Sequence, residues 1–155
     1  MDSAIKRLKI DKAVAQRLNE ALRLDGFFPE FTEEHVEKVF PRSGLYAYPK
    51  GASIVVQAAR GRDLFVLQSG TLAVFREEGS GSRRVADLKE GDIFGEIGLR
   101  DGVRIATVSA LVDSQVFHLA YEDIQYLLEH NHDLGDHLDS LAKQRASAGL
   151  PKDAR

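Results

Sequence analysis

The spacing of apolar residues changes twice along the chain, and each change marks a boundary between kinds of structure. Over residues 3–24, "SAIKRLKIDKAVAQRLNEALRL", Ile5, Leu8, Ala15, Leu18 and Leu22 recur at helical spacing. Ser3 is placed to cap this helix, and the Asp-Gly pair at 25–26 ends it. A second, short helix is expected in "FFPEFTEEHVEKVF". Thr32 caps it, Glu33 and Glu34 favour its first turn, and Val36, Val39 and Phe40 supply its apolar side. Pro41 stops it. From Leu45 to Leu119 the period shortens towards two. "SIVVQ", "LFVLQ", "TLAVFRE", "RRVADL", "IATVSAL" and "SQVFHL" alternate with the turn signals "PKG", "ARGR", "QSG", "EEGSGS", "KEGD", "RDGV" and "VD". Many short strands with closely spaced turns predict a sandwich, a barrel or a jelly roll, and the pattern does not choose among them. Helical spacing returns with Ile124, Leu127 and Leu128, and again with Leu134, Leu138 and Leu141. The expected organisation is an N-terminal helix over 1–26 and a main unit over 27–147, followed by a frayed tail over 148–155. Within the main unit the strands span about 42–119 and the closing helices about 121–147. No third helix with the spacing of a helix-turn-helix follows, so no DNA-binding output is visible in the chain.

Composition narrows the function classes. The 155 residues, 43% of them hydrophobic, suffice for one domain that buries roughly 68–70% of its unfolded surface. A net charge of −3 and a pI near 6.0 leave no electrostatic footprint for nucleic acid. Cysteine is absent, which removes disulfides, thiolate metal sites and cysteine nucleophiles. No apolar run reaches membrane-spanning length, and "MDSAIKRLKI" is too charged for a signal-peptide core, so no membrane partner and a cytosolic location are expected.

The candidate chemistry lies in "GDIFGEIGLRDGVRIATV", residues 91–108. Gly95 lets the backbone approach a ligand closely or take a conformation closed to other residues. If "EIGL" forms a helical turn, its free amides point back towards Gly95 and make an anion-binding nest. Arg104, an unusual member of an apolar strand, adds charge-assisted hydrogen bonds worth about 1.5–3 kcal/mol each. Glu96 repels a bare phosphate and therefore serves another part of the ligand. An acid so placed accepts a hydrogen bond from a ribose hydroxyl. Phosphate plus ribose implies a nucleotide, and the scarcity of bases nearby, Arg100 apart, favours a singly charged diester.

"FGEIGL" followed by "RIATV" resembles the phosphate-binding cassette of the cyclic nucleotide-binding domains. That family includes the bacterial catabolite activator, the regulatory subunit of cyclic-AMP-dependent protein kinase and the cyclic nucleotide-gated channels. "YPKGASIVVQ", "LFVLQSGTLAVF", "LKEGDIFGEIGL" and "DSQVFHLAYEDIQYLLEHN" extend the likeness over residues 27–142. The resemblance implies an eight-stranded β-roll flanked by helices, with cyclic AMP or cyclic GMP as ligand. It implies that Glu96 takes the ribose 2′-hydroxyl and Arg104 the cyclic phosphate. The backbone at Gly95, Ile97 and Gly98 lines the same pocket, which Leu99, Ile105 and Ala106 complete. The chain departs from the family at four places. Leu99 to Arg104 is a step of five residues where members use six or more. Ile105 replaces Ala, Ser or Thr, and the missing hydroxyl favours adenine over guanine. Arg62 stands where Asp is usual, with Asp63 one place on, and Ala58 replaces a Gly.

Blander readings exist for each feature. Glu96 and Arg104 would also serve as an internal ion pair, or Arg104 would pair with Asp101. His130, His132 and His137 in "EHNHDLGDH" read as ordinary surface imidazoles, so no metal is expected; His118 is alone in its strand. Ser69 and Ser109 lack a partnered histidine, so no catalytic residue is assigned and the protein is read as a sensor, not an enzyme. Its mechanism would be a population shift in which the helices after Leu119 repack over the base. Leu134, Leu138 and Leu141 cover the roll and also offer a homodimer contact, and the signal would pass to an effector protein in trans. The alternative is a degenerate β-roll that has lost its nucleotide and serves as a dimerisation or protein-docking module.

Overall fold

A computed structural model of the chain describes residues 5–24, 28 and 30–148. It begins with β1 (Lys6–Leu8), α1 (Lys12–Ala21) and α2 (Glu33–Val39). Eight strands follow, interrupted by one short helix: β2 (Gly44–Tyr48), β3 (Ser53–Val55), β4 (Leu64–Ser69), β5 (Leu72–Glu78), β6 (Gly81–Leu88), β7 (Ile93–Phe94), α3 (Glu96–Asp101), β8 (Thr107–Ala110) and β9 (Ser114–Leu119). The helices α4 (Tyr121–His130) and α5 (His132–Ala148) close the chain. The strands form two antiparallel sheets, ordered β1-β2-β9-β4-β7 and β3-β8-β5-β6. Strands β2 to β9 make the eight-stranded roll, and β1 is added at one edge.

The alternation along β4 shows why the sequence there is almost wholly apolar. Phe65 and Leu67 point into the core between the sheets, with Leu72, Phe94, Val108 and Val116. Leu64 and Val66 point the other way, into a core shared with α1, α2, α4 and α5. A strand buried on both faces has no polar side to show. Val14, Ala15, Leu18 and Leu22 of the α1 region, Ile124 of α4 and Leu134 and Leu138 of α5 all join this second core. The N-terminal helix therefore packs as part of the same body as the roll.

Residues 6–8 correct the expected helix over 3–24. They are a strand paired with β2, Lys6 opposite Ala47 and Leu8 opposite Leu45. Ile5 and Leu8, three apart, satisfy helical spacing, but a strand serves them equally by sending them to opposite faces. Ile5 packs on the core between the sheets and Leu8 on the helical core. The helix begins at Lys12 because the Asp11 side chain accepts the Val14 N–H at 3.0 Å. Ser3, Asp25 and Gly26 lie outside the described residues, as does the tail beyond Ala148. In α2 the Thr32 N–H donates to His35 Nδ1 at 3.0 Å, which fastens the expected cap. The hairpin at "EEGSGS" is tighter than its composition suggests, since Glu78 already pairs with Gly81. At the other end Asn131 accepts the Leu134 N–H at 3.1 Å and donates to the carbonyls of Leu22 and Arg23, tying α5 to the end of α1.

Candidate functional site

A cleft lies between α3 and the face of the β5–β6 hairpin, with about 690 Å³ of atom-free space partly open to solvent. Gly95, Glu96, Ile97, Gly98, Arg104, Ile105 and Ala106 all line it. Gly95 caps α3 at φ +90°, a left-handed conformation that favours glycine. It turns the chain sharply out of β7, so that Glu96, Ile97 and Gly98 at the start of α3 line the cleft.

Arg104 does not lie within a strand, contrary to the expectation for "RIATV". The strand β8 starts at Thr107, and Arg104 is held instead by the loop before β4. Its N–H donates to Ala59 O at 2.9 Å and its carbonyl accepts from Ala58 N–H at 2.8 Å. With the backbone so anchored, the guanidinium folds under α3. Nη1 donates to Gly95 O at 3.1 Å and Nη2 to Asp63 O at 3.0 Å, and the group lies over the Phe65 ring. Glycines make room for it: a Cβ on Gly98 would sit 2.6 Å from Nη1, and one on Gly95 would sit 3.1 Å from the same atom. Arg104 is only 8% exposed, and no carboxylate comes within ion-pair distance of it among the described residues. Burial pushes the guanidinium below its ordinary value, opposed by the charges of Asp63 and Glu96.

Glu96, 6% exposed, pairs with a residue the sequence reading did not single out. Arg145 of α5 reaches across to donate to Glu96 Oε1 and, at 2.6 Å, to Ile93 O. The internal pairing of Glu96 with Arg104 is thus not formed. Asp63 also has work of its own. Its carboxylate accepts the Tyr121 N–H at 2.9 Å, at the start of α4, and meets His118 Nε2 at 2.7 Å. The same residue that receives Arg104 on its carbonyl therefore starts α4. Arg62, the departure beside it, lies over the Tyr121 ring.

A family model described as the cyclic nucleotide-binding domain matches residues 46–131. The chain belongs to this family. A cyclic AMP receptor protein from Thermus thermophilus is 36% identical over 83 residues, which are 52% of this chain and 38% of that protein. A cAMP-dependent protein kinase regulatory subunit from Aspergillus fumigatus is 30% identical over 129 residues, 83% of this chain and 29% of that protein. The chain spans well under half the length of these curated relatives. Among solved structures, a cyclic nucleotide-binding domain from Methylobacillus flagellatus shares the fold at a TM-score of 0.72 and 20% identity, covering 94% of this chain and 86% of that one. The catabolite activator protein of Thermus thermophilus gives a TM-score of 0.65 at 29% identity, covering 80% and 57%.

In this cyclic nucleotide-binding domain, Leu99 is the one expected site residue that does not line the cleft. It packs on the helical core instead, on the side of α3 turned away from the cleft. Two arginines outside the cassette do line the cleft, Arg145 and Arg76 of β5. Each carries a signal in the sequence. Arg145 continues the stripe of Leu138 and Leu141 at helical spacing, and Arg76 continues Leu72 and Val74 at strand spacing. Val55, Val74, Val85, Ala86, Leu88 and Val108 supply the apolar wall. Among the described residues no group of three or more side chains is arranged to hold a metal, and no helix is long and apolar enough to cross a membrane.

Proposed function

We propose that this domain binds a cyclic nucleotide, cyclic AMP ahead of cyclic GMP, and acts as a sensor rather than a catalyst. The observation that carries this reading is Arg104. It is a buried guanidinium with two of its five N–H donors given to carbonyls and, among the described residues, no carboxylate partner. A buried charge left without a counter-charge is costly, and a phosphodiester in the adjoining cleft supplies one. The ribose hydroxyl then donates to Glu96, and the amides of residues 97 and 98 complete the phosphate site. Cyclic AMP is favoured by the absence of a hydroxyl at Ile105 and by relatives named for that ligand. Glu96 opposes ligands of higher negative charge.

Binding is read by the last helix. Arg145 joins α5 to Glu96, so a ribose that engages Glu96 changes the terms on which α5 is held. The resulting population shift is limited to the difference in ligand affinity between the two arrangements. The output goes to a partner protein, in the cytoplasm. Calorimetric titration of cyclic AMP and cyclic GMP into the purified domain tests the reading. Saturable binding is expected, and Arg104→Ala should weaken it by about tenfold or more, about 1.4 kcal/mol. Silence from both nucleotides at millimolar concentration would leave the second reading, a docking module. The bulk of Ile105 in the cleft lining and the short step from Leu99 to Arg104 favour that one.

A further inference from the structure

Strand β5 brings a guanidinium to the cleft that neither the phosphate nor the ribose requires. Arg76 lies two residues beyond Val74 on the same face of the strand, and both line the cleft. It is half-buried. Among the described residues its guanidinium makes no hydrogen bond and no ion pair; Glu78, two residues on, senses its charge. The wall around it is otherwise apolar. A bulge in the β5–β6 ladder sets two residues of β6, Val85 and Ala86, towards the cleft where regular pairing would send one of them away. With phosphate at Arg104 and ribose at Glu96, this wall is what remains for the base, and Arg76 is its one charged donor.

We propose that Arg76 reads the purine base and raises the affinity of the cleft for guanine relative to adenine. The inference rests on the cyclic nucleotide reading above. A guanidinium only donates hydrogen bonds. The N7 and O6 of guanine both accept, so two N–H groups of Arg76 are satisfied by that edge. Adenine offers N7 beside an amino group, which presents its own donors to the guanidinium. Arg76 thereby offsets the adenine preference set at Ile105 and makes cyclic GMP a competent second ligand.

The test is a set of titrations of cyclic AMP, cyclic GMP and cyclic IMP into the wild-type domain and Arg76→Leu, with thermal melts to show that the variant folds. Cyclic IMP keeps O6 and N7 and lacks the guanine amino group. The variant is expected to lose about tenfold or more in affinity for cyclic GMP and cyclic IMP, and less than about threefold for cyclic AMP. A ratio of cyclic GMP to cyclic AMP affinity that stays within about threefold of wild type overturns the inference and leaves the cyclic nucleotide reading standing. So does an equal loss for all three ligands, which would assign Arg76 to the phosphate. Wild-type protein that binds cyclic AMP but neither of the other two also overturns it. Failure of the wild type to bind any of them removes both readings together.

Discussion

Ala58 adopts φ +73°, a left-handed conformation that a Cβ disfavours, at the position where the family resemblance places glycine. Its N–H holds the carbonyl of Arg104, so the strained residue belongs to the backbone anchor of that arginine. Glycine at this position relieves the strain and loses some of that gain to unfolded-state entropy. Ala58→Gly is expected to stabilise the domain by about 0.5–1 kcal/mol, read as a rise of a few degrees in Tm. A fall in Tm would show that the loop has relaxed around alanine. Strain of this kind is invisible in a list of residue types. The resemblance marks alanine at 58 as a departure, and the backbone angle shows why it is a cost.

Helix α5 is tied by polar contacts at both ends, by Asn131 and Asp133 at its start and by Arg145 near its end. Arg145→Ala removes the cation facing Glu96, whose side chain is only 4% exposed. The expected loss is about 1–3 kcal/mol, below the range for fully buried pairs because Arg145 itself is partly solvated. Adding Glu96→Gln should recover part of it, and urea titrations of the four proteins of this cycle measure the coupling. Additive losses would mean that the two side chains do not support one another. Between these points lies His137. Burial, with the nearby Arg23 guanidinium, holds its imidazole below the ordinary value of 6.5; Asp133 opposes this and Arg145 reinforces it. The unfolded chain therefore takes up this proton first as pH falls. Stability contributed by neutral His137 is present above about pH 6.5 and declines below it. His137→Gln is expected to flatten the decline between about pH 7.5 and pH 5, and an unaltered slope would assign it to other groups.

At the scale of the whole molecule, the cleft joins the roll to its closing helices by two routes. Glu96 reaches α5 through Arg145, and Arg104 reaches α4 through Asp63. Cyclic AMP is expected to slow amide exchange in α3, α4 and α5 while leaving α2, remote from the cleft, unchanged. Hydrogen exchange with and without ligand measures this, and protection confined to α3 would mean that the closing helices do not read the site. The sequence by itself determined the features that depend on neighbours along the chain. Period-two runs and the turns between them foretold a sandwich, barrel or jelly roll, since alternation is a local constraint, while the resemblance carried by "FGEIGL" and its following arginine implied the roll and named seven residues that line the cleft. Spacing misread residues 6–8, where Ile5 and Leu8 suit a helix and an edge strand equally well. Only the tertiary structure decided that Arg145, 49 residues away, faces Glu96, that Leu99 turns to the helical core, and that Arg76 completes the cleft wall. Those placements depend on which surfaces meet once the sheets and helices pack, and spacing within one element carries no information about what lies opposite it.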